Sequence, residues 1–445
     1  MHSSSRFRLG CLFLASVFLS ACAGSAGPAA ATGVSGPAAL ERDLAAVVAD
    51  PVHGMASLSV LVVRDGKVGY QGAFGNRFIH PSDPAQNKPA NPQTLYRIAS
   101  VSKFFTMLGV MRLVEQGKLS LDRDVGDYLG YPLRNPAFPN QPITLRMLLS
   151  HTSSMRDEAG YSWGAGTSIN TAIAAKPGAW DAKRAPGAYF TYSNLNFGVI
   201  GTVLEAATGE RFDLLMRRLV LDPLDLRAGY NVALLPAAER ANLAALYRKR
   251  APDTNTWNPS GPWMAQVDDY SVRPASAPAG LDQYVVGSNS TVFSPTGGLR
   301  ISAADLGKVM LMLLDEGRYQ GKAFLSPATL KKIFSTQWRY APAAPNGDNY
   351  HGLFTHWGLG AQQFESADGA RSSLVPGGYP AWGHLGDAYG LMSVFAINFA
   401  ERSGMVVLIG GTARDPASTP GSYSALSRQE ELVLSALHKH LLRAQ

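Results

Sequence analysis

A chain of 445 residues, 46% hydrophobic and 16% charged, is long enough to bury a large core as one domain or two closely joined ones. Its formal charge of +7, from 40 Lys and Arg against 33 Asp and Glu, gathers in no basic run or aromatic-interleaved stretch, which argues against a nucleic-acid partner. Glycine (45) and proline (28) are near their average share, so the chain is not low-complexity.

The first residues read as a targeting segment. Arg6 and Arg8 precede an apolar run, Leu9 to Leu19, and Leu19-Ser-Ala-Cys22 resembles the lipobox of bacterial lipoproteins. On that resemblance, residues 1–21 are a signal peptide and Cys22 carries a lipid. The protein is then expected to be exported, held to a membrane through Cys22 and placed at the outer membrane facing the periplasm. The alternative is an ordinary secretory signal cut near Ala21. Cys11, the other cysteine, lies inside the signal, so no intramolecular disulfide is expected. Residues 22–37, rich in Ala, Gly, Ser and Pro, read as a flexible tether.

A helix is predicted over Ala38–Val48, then a β-hairpin from Ser57–Val63 and Val68–Phe74 around Arg64-Asp-Gly-Lys67. Ile79 to Gln93 reads as loop. Ser100 to Gln116 reads as a helix ended by Gly117, with an apolar face at Phe104, Met107, Leu108, Met111 and Val114. Ser100 and Lys103 project from that same face. A cation there is disfavoured by the helix dipole and by burial, so Lys103 calls for a reason. Further helices are predicted at Ile143–Met155 (capped by Thr144), Asn196–Ala207 (stopped by Gly209), Phe212–Val220 and Ala237–Lys249. A Pro-, Asn-, Ser- and Trp-rich tract around Trp257 and Trp263 reads as a lid or a binding loop. Helices at Ala303–Gly317 and Pro327–Phe334 follow, then strands at Gly358–Gln363, Leu391–Phe399 and Met405–Gly411, and a last helix at Leu426–Leu442. Strands at both ends with helices between predict an α/β (α+β) fold, an antiparallel sheet flanked by helices plus an inserted all-α domain. Residues 38–445 are expected to form one unit. Its α/β part would comprise 38–115 and 295–445, and its helical insert 116–294, with an irregular loop over 250–294.

Ser100-Val-Ser-Lys103 is the one Ser-x-x-Lys in the chain, and Tyr192-Ser-Asn194 the one Tyr-x-Asn. A desolvated lysine with a lowered pKa can serve as the base that a serine nucleophile needs, and a helix start offers N–H groups to an oxyanion. His-x-Gly occurs at His356-Trp-Gly358 and at His384-Leu-Gly386, and the second precedes a strongly apolar run. His438 and His440 point to different helix faces, and the chain has no His-Glu-x-x-His, so neither a metal nor a cofactor is expected. The absence of Gly-x-Ser-x-Gly argues against a nucleophile elbow.

In order, Tyr96-Arg-Ile-Ala-Ser-Val-Ser-Lys-Phe-Phe-Thr106, Leu148-Leu-Ser-His-Thr-Ser-Ser-Met155, Tyr192-Ser-Asn194, Thr296-Gly-Gly-Leu299 and His384-Leu-Gly386 resemble the signatures of the serine β-lactamase/penicillin-binding-protein superfamily, in its class C-like branch. Ser154 stands where that branch usually has glycine. The resemblance implies that Ser100 forms an acyl-enzyme, that Lys103 and Tyr192 share the base role, and that Asn194 binds a substrate amide or carbonyl. It also implies an oxyanion hole from the N–H groups of Ser100 and Asp387, beside Gly386, and a structural His151. His356 is expected to be an ordinary loop histidine. Asp387 replaces a small neutral residue.

Where related β-lactamases carry K-T-G, this chain has His384, an unperturbed histidine being mostly neutral at pH 7. Hydrolysis of an ester or D-amino-acid peptide is therefore favoured. The alternatives are a DD-carboxypeptidase, penicillin-binding or weak β-lactamase activity, and a non-catalytic module that binds peptidoglycan or a β-lactam.

Overall fold

A computed structural model describes residues 37–443 apart from 175, 253 and 366–370. The predicted signal peptide and Cys22, and all of the predicted tether except residue 37, lie outside the described residues. The frame of the molecule is a nine-stranded antiparallel sheet. Its strand order is 338–339, 356–357, 362–364, 381–388, 391–398, 403–409, 57–64, 67–78 and 88–89. The N-terminal strand Ser57–Arg64 therefore sits beside Ser403–Ile409, in a register that places Val60 opposite Val407.

Alternation along Ser57–Arg64 sends Leu58, Val60 and Val62 to one face, and Leu61 and Val63 to the other. The first face packs on the two terminal helices, Pro37–Val48 and Arg428–Leu437, through Leu40, Leu44, Val433, Leu434 and Leu437. The second joins the main core with helices Ser102–Glu115, Leu195–Thr208 and Ala303–Leu314. Gly307 lets the last of these helices lie close, since a Cβ there would come within 2.6 Å of Leu61. Both faces being covered explains why Leu391–Asn398 and Ser403–Ile409 are apolar with little alternation.

Four expectations change. Ser100 lies in a 3₁₀ turn, Ala99–Val101, and the α-helix begins at Ser102. That helix is buried all round from Ser102 to Met111, because sheet and helical region enclose it, so a single apolar stripe underdescribes it. The predicted helix Ile143–Met155 is helical only over Leu145–Leu149. Thr144 caps its start, and the chain then turns through left-handed residues His151 (φ 56°) and Ser154 (φ 66°). A left-handed residue explains why glycine suits position 154.

Third, Ala237–Lys249 splits into a short helix, Ala237–Ala241, and a strand, Leu246–Lys249. The strand pairs with Trp263–Val267 and Gly411–Thr412, so the middle region is not all-α. Fourth, the strand predicted at Gly358–Gln363 forms at Gln362–Phe364 instead, because Gly360 takes φ 64°. Ala381–Ala388, which carries two glycines that weaken its strand pattern, is a full strand beside Leu391–Asn398. Among the described residues no helix is long and apolar enough to cross a membrane.

Candidate active site

Ala99 adopts a left-handed φ of 46°, a conformation that costs an L-residue of order 1 kcal/mol, and so kinks the chain into the turn that presents Ser100. The N–H of a first-turn residue has no carbonyl within its own helix. Strand Ala381–Ala388 passes against this turn. A Cβ on Gly386 would lie 3.1 Å from the Ser100 nitrogen and 2.6 Å from the Ile98 oxygen, so only glycine fits there. Ser393 on the next strand donates to that Ile98 oxygen at 2.9 Å and ties the turn to the sheet. The Gly386 backbone and the Ser100 N–H are thus brought together.

Lys103 is fully buried. Its Nζ is 2.9 Å from Ser100 Oγ, 2.8 Å from Asn194 Oδ1 and 3.0 Å from the Thr296 carbonyl. Burial lowers its pKa to about 7, while the Asp157 carboxylate pulls the other way. Asn194 Oδ1 and the Thr296 carbonyl can only accept. A neutral amine would give them its two N–H bonds and keep its lone pair for the Ser100 hydroxyl.

Asp157 settles the orientation of Asn194, and sequence reasoning did not single it out. Its carboxylate accepts from the Asn194 side-chain amide (2.9 Å), from the backbone N–H of Asn194 and Leu195 (2.9 Å each), and from the Ser193 hydroxyl (2.8 Å). The amide nitrogen therefore faces Asp157 and the amide oxygen faces Lys103. Helix Leu195–Thr208 starts on this carboxylate, as suits the positive end of a helix dipole. The sequence signal was available: an acid two residues beyond the Leu148–Met155 segment.

Tyr192 is walled by aromatics. His151 stacks on it at 4.5 Å, Phe354 lies 5.5 Å away on near-parallel planes, and Trp357 meets it edge-on at 5.8 Å. Lys103 Nζ is 4.9 Å from its ring centre. Burial pushes the phenol well above its ordinary range, with Ser100 pulling in the opposite direction. His151 acts as a buttress: its Nδ1 accepts from the Ser193 N–H at 3.1 Å, and burial keeps the ring neutral.

His384 is 2% exposed, and burial, then Lys103, lowers its pKa to about 3. Its Nδ1 lies 2.6 Å from the Leu385 carbonyl, so that nitrogen carries the proton. Nε2 is left as a buried lone pair with no partner among the described residues. Asp387 faces water, yet the surrounding walls raise its carboxyl pKa, with Arg248 opposing. Ser100, Tyr192, Asn194, His384, Gly386 and Asp387 all line one cavity of about 900 Å³. Arg97, three residues before Ser100, lines it too and was not singled out from the sequence. Trp257 and Trp263 are not in the lining; they stack under Arg248 (5.2 Å) and Lys249 (5.3 Å) instead. His356 is not a loop residue but sits on strand His356–Trp357, paired with Arg339 on one side and Gln363 on the other, 2.9 Å from Glu365.

The beta-lactamase family model matches residues 40–427. Protein flp of Staphylococcus aureus (strain N315) is 30% identical over 177 residues, which is 38% of this chain and 33% of that protein. The chain thus matches about a third of that relative's length. An octameric penicillin-binding protein homologue from Pyrococcus abyssi superposes with a TM-score of 0.62 at 21% identity, over 91% of this chain and 77% of that one. A D-amino acid amidase from Ochrobactrum anthropi SV3, solved with L-phenylalanine amide, gives 0.61 at 18% identity, over 90% and 97%. Identities this low establish the shared fold.

Proposed function

Because the chain belongs to the beta-lactamase family, we propose that it is a serine hydrolase working through an acyl-enzyme on Ser100, with an ester or a D-amino-acid amide as substrate. The observation that carries this reading is the Lys103 nitrogen, 2.9 Å from Ser100 Oγ and lowered to about 7. Neutral Lys103 takes the Ser100 proton as Oγ attacks the carbonyl carbon. The oxyanion forms against the N–H groups of Ser100 and Asp387. Tyr192, kept protonated by burial, donates to the leaving oxygen or nitrogen and recovers a proton from Lys103. Water then attacks the acyl carbon, with the same pair removing its proton. Since Lys103 and Tyr192 exchange one proton, their titration belongs to the pair.

Neutral His384 supplies no cation at the position where K-T-G enzymes meet a β-lactam carboxylate, which favours esters and amides over β-lactams. Attachment to a membrane through Cys22, on the exported side, belongs to the same proposal and rests on the sequence of residues 1–22. The test is turnover of p-nitrophenyl esters and D-amino-acid p-nitroanilides, with fluorophosphonate labelling and Ser100→Ala as control. Label on the wild type alone, with turnover, supports the reading; no label and no turnover overturns it.

A further inference from the structure

We infer that the cavity receives a substrate carrying a free carboxylate, and that Arg97 binds that group. The inference rests on the acyl-hydrolase reading and goes beyond it by naming a charge on the substrate. Arg97 ends the short strand Leu95–Arg97 and lines the cavity with Ser100. Its Nε donates to the Gly297 carbonyl at 3.1 Å, and the Tyr389 ring lies 5.0 Å from its guanidinium carbon. Neither terminal nitrogen has a hydrogen-bond partner among the described residues, and the side chain makes no ion pair there. Arg97 is half-buried, and the four N–H bonds of its terminal nitrogens open on the cavity, where an anion can take them up.

The neighbouring charges do not neutralise it. Asp268 lies nearby, but Arg300 holds it in a two-pronged pair, 2.7 Å and 3.0 Å, and the Tyr270 hydroxyl donates to it at 2.9 Å. Two guanidiniums share one carboxylate, and one positive charge is left over. Arg300 adds repulsion that, together with burial, makes the Arg97 cation harder to hold. Asp387 makes no ion pair with Arg97 among the described residues, and the cation that acts on its carboxyl is Arg248.

Arg97 also touches different residues from those around His384. It lies against Gly297 and Tyr389, whereas His384 lies against Tyr192 and Trp357. A carboxylate held by Arg97 therefore approaches from a wall other than the one K-T-G enzymes use. A flexible acyl chain or peptide end reaches it more readily than the fixed carboxylate of a fused β-lactam ring. The planar guanidinium fork matches two carboxylate oxygens and discriminates against a neutral ester of equal length.

The test compares the mono-p-nitrophenyl ester of glutaric acid with its methyl-capped neutral counterpart. The wild type is expected to favour the anionic ester in kcat/KM. Arg97→Gln should lower that preference about tenfold or more, chiefly through KM, and Arg97→Lys should recover part of it. Arg371→Gln, which removes the other arginine of the lining, should leave the preference intact. An unchanged preference in Arg97→Gln, an equal fall for both esters, or a wild type that favours the neutral ester overturns the inference. Calorimetric binding of glutarate to Ser100→Ala, with and without Arg97→Gln, needs no turnover. If no ester is cleaved, the acyl-hydrolase reading fails while this measurement still decides the role of Arg97. Binding lost with Arg97 supports that role, and binding independent of Arg97, or none, refutes it.

Discussion

On the lysine side of Ser100, Nζ of Lys103 has three oxygen neighbours within 3.0 Å, and the amide that holds it is itself fixed by Asp157. On the strand side, His384 bonds only to its neighbour's carbonyl and leaves Nε2 unmatched. Lys103, Asn194 and Asp157 on the first wall satisfy one another before any substrate arrives. His384 on the second waits for a partner. A satisfied network fixes geometry, and an unsatisfied one reserves its bonding capacity for a ligand. In the proposed function, reaction type accordingly resides in the lysine wall, and substrate choice in the strand wall with Arg97.

Four measurements would break or sharpen that contrast. Lys103→Met should reduce ester kcat/KM at least about 1000-fold, as removal of a base from a serine nucleophile does in other hydrolases. Retention of more than a few per cent would place the base elsewhere. Asp157→Asn should cost roughly 100-fold by loosening Asn194 and the helix start. Because the Asp157 charge raises the Lys103 pKa, the same substitution should move the acidic limb of the pH–rate profile to lower pH. In the wild type that limb should rise through about pH 7, since the uncharged lysine is the active form. A fixed limb in Asp157→Asn would show that its charge does not reach Lys103.

On the strand wall, His384→Lys should raise the rate of acylation by benzylpenicillin about tenfold while ester turnover falls less than in Asp157→Asn, by stopped-flow labelling. A fall in both would mean that His384 serves the chemistry itself. Thr144→Ala lies outside both walls. It should cost about 1 kcal/mol in urea unfolding by removing a helix cap, with kcat/KM unchanged.

The lysine wall was largely legible in the sequence, because Ser100, Lys103, Tyr192 and Asn194 carry local patterns that survive without the fold. Asp157 and Arg97 were not, since a lone acid and a lone arginine have no pattern. Their roles arise only when the start of helix Leu195–Thr208 meets one and Gly297 meets the other. The sheet was readable where strands are apolar on both faces. It was less so at Gly358–Gln363, where left-handed Gly360 breaks the strand, and at Leu246–Lys249, where an apolar run reads as helix until its pairing partners arrive.

The pairing of Val60 with Val407 has a consequence for how the protein is made. A chain still being synthesised has Ser100 and Lys103 in hand early, but neither the strand that carries Gly386 nor the one that flanks Ser57–Arg64. Contacts this far apart in sequence form late and slowly. Until Ser403–Ile409 emerges, one edge of Ser57–Arg64 stays open to pairing with other chains. The surroundings of Ser100 are therefore complete only after Ser403–Ile409 is in place, and a chain ended before that strand would leave the edge of Ser57–Arg64 open.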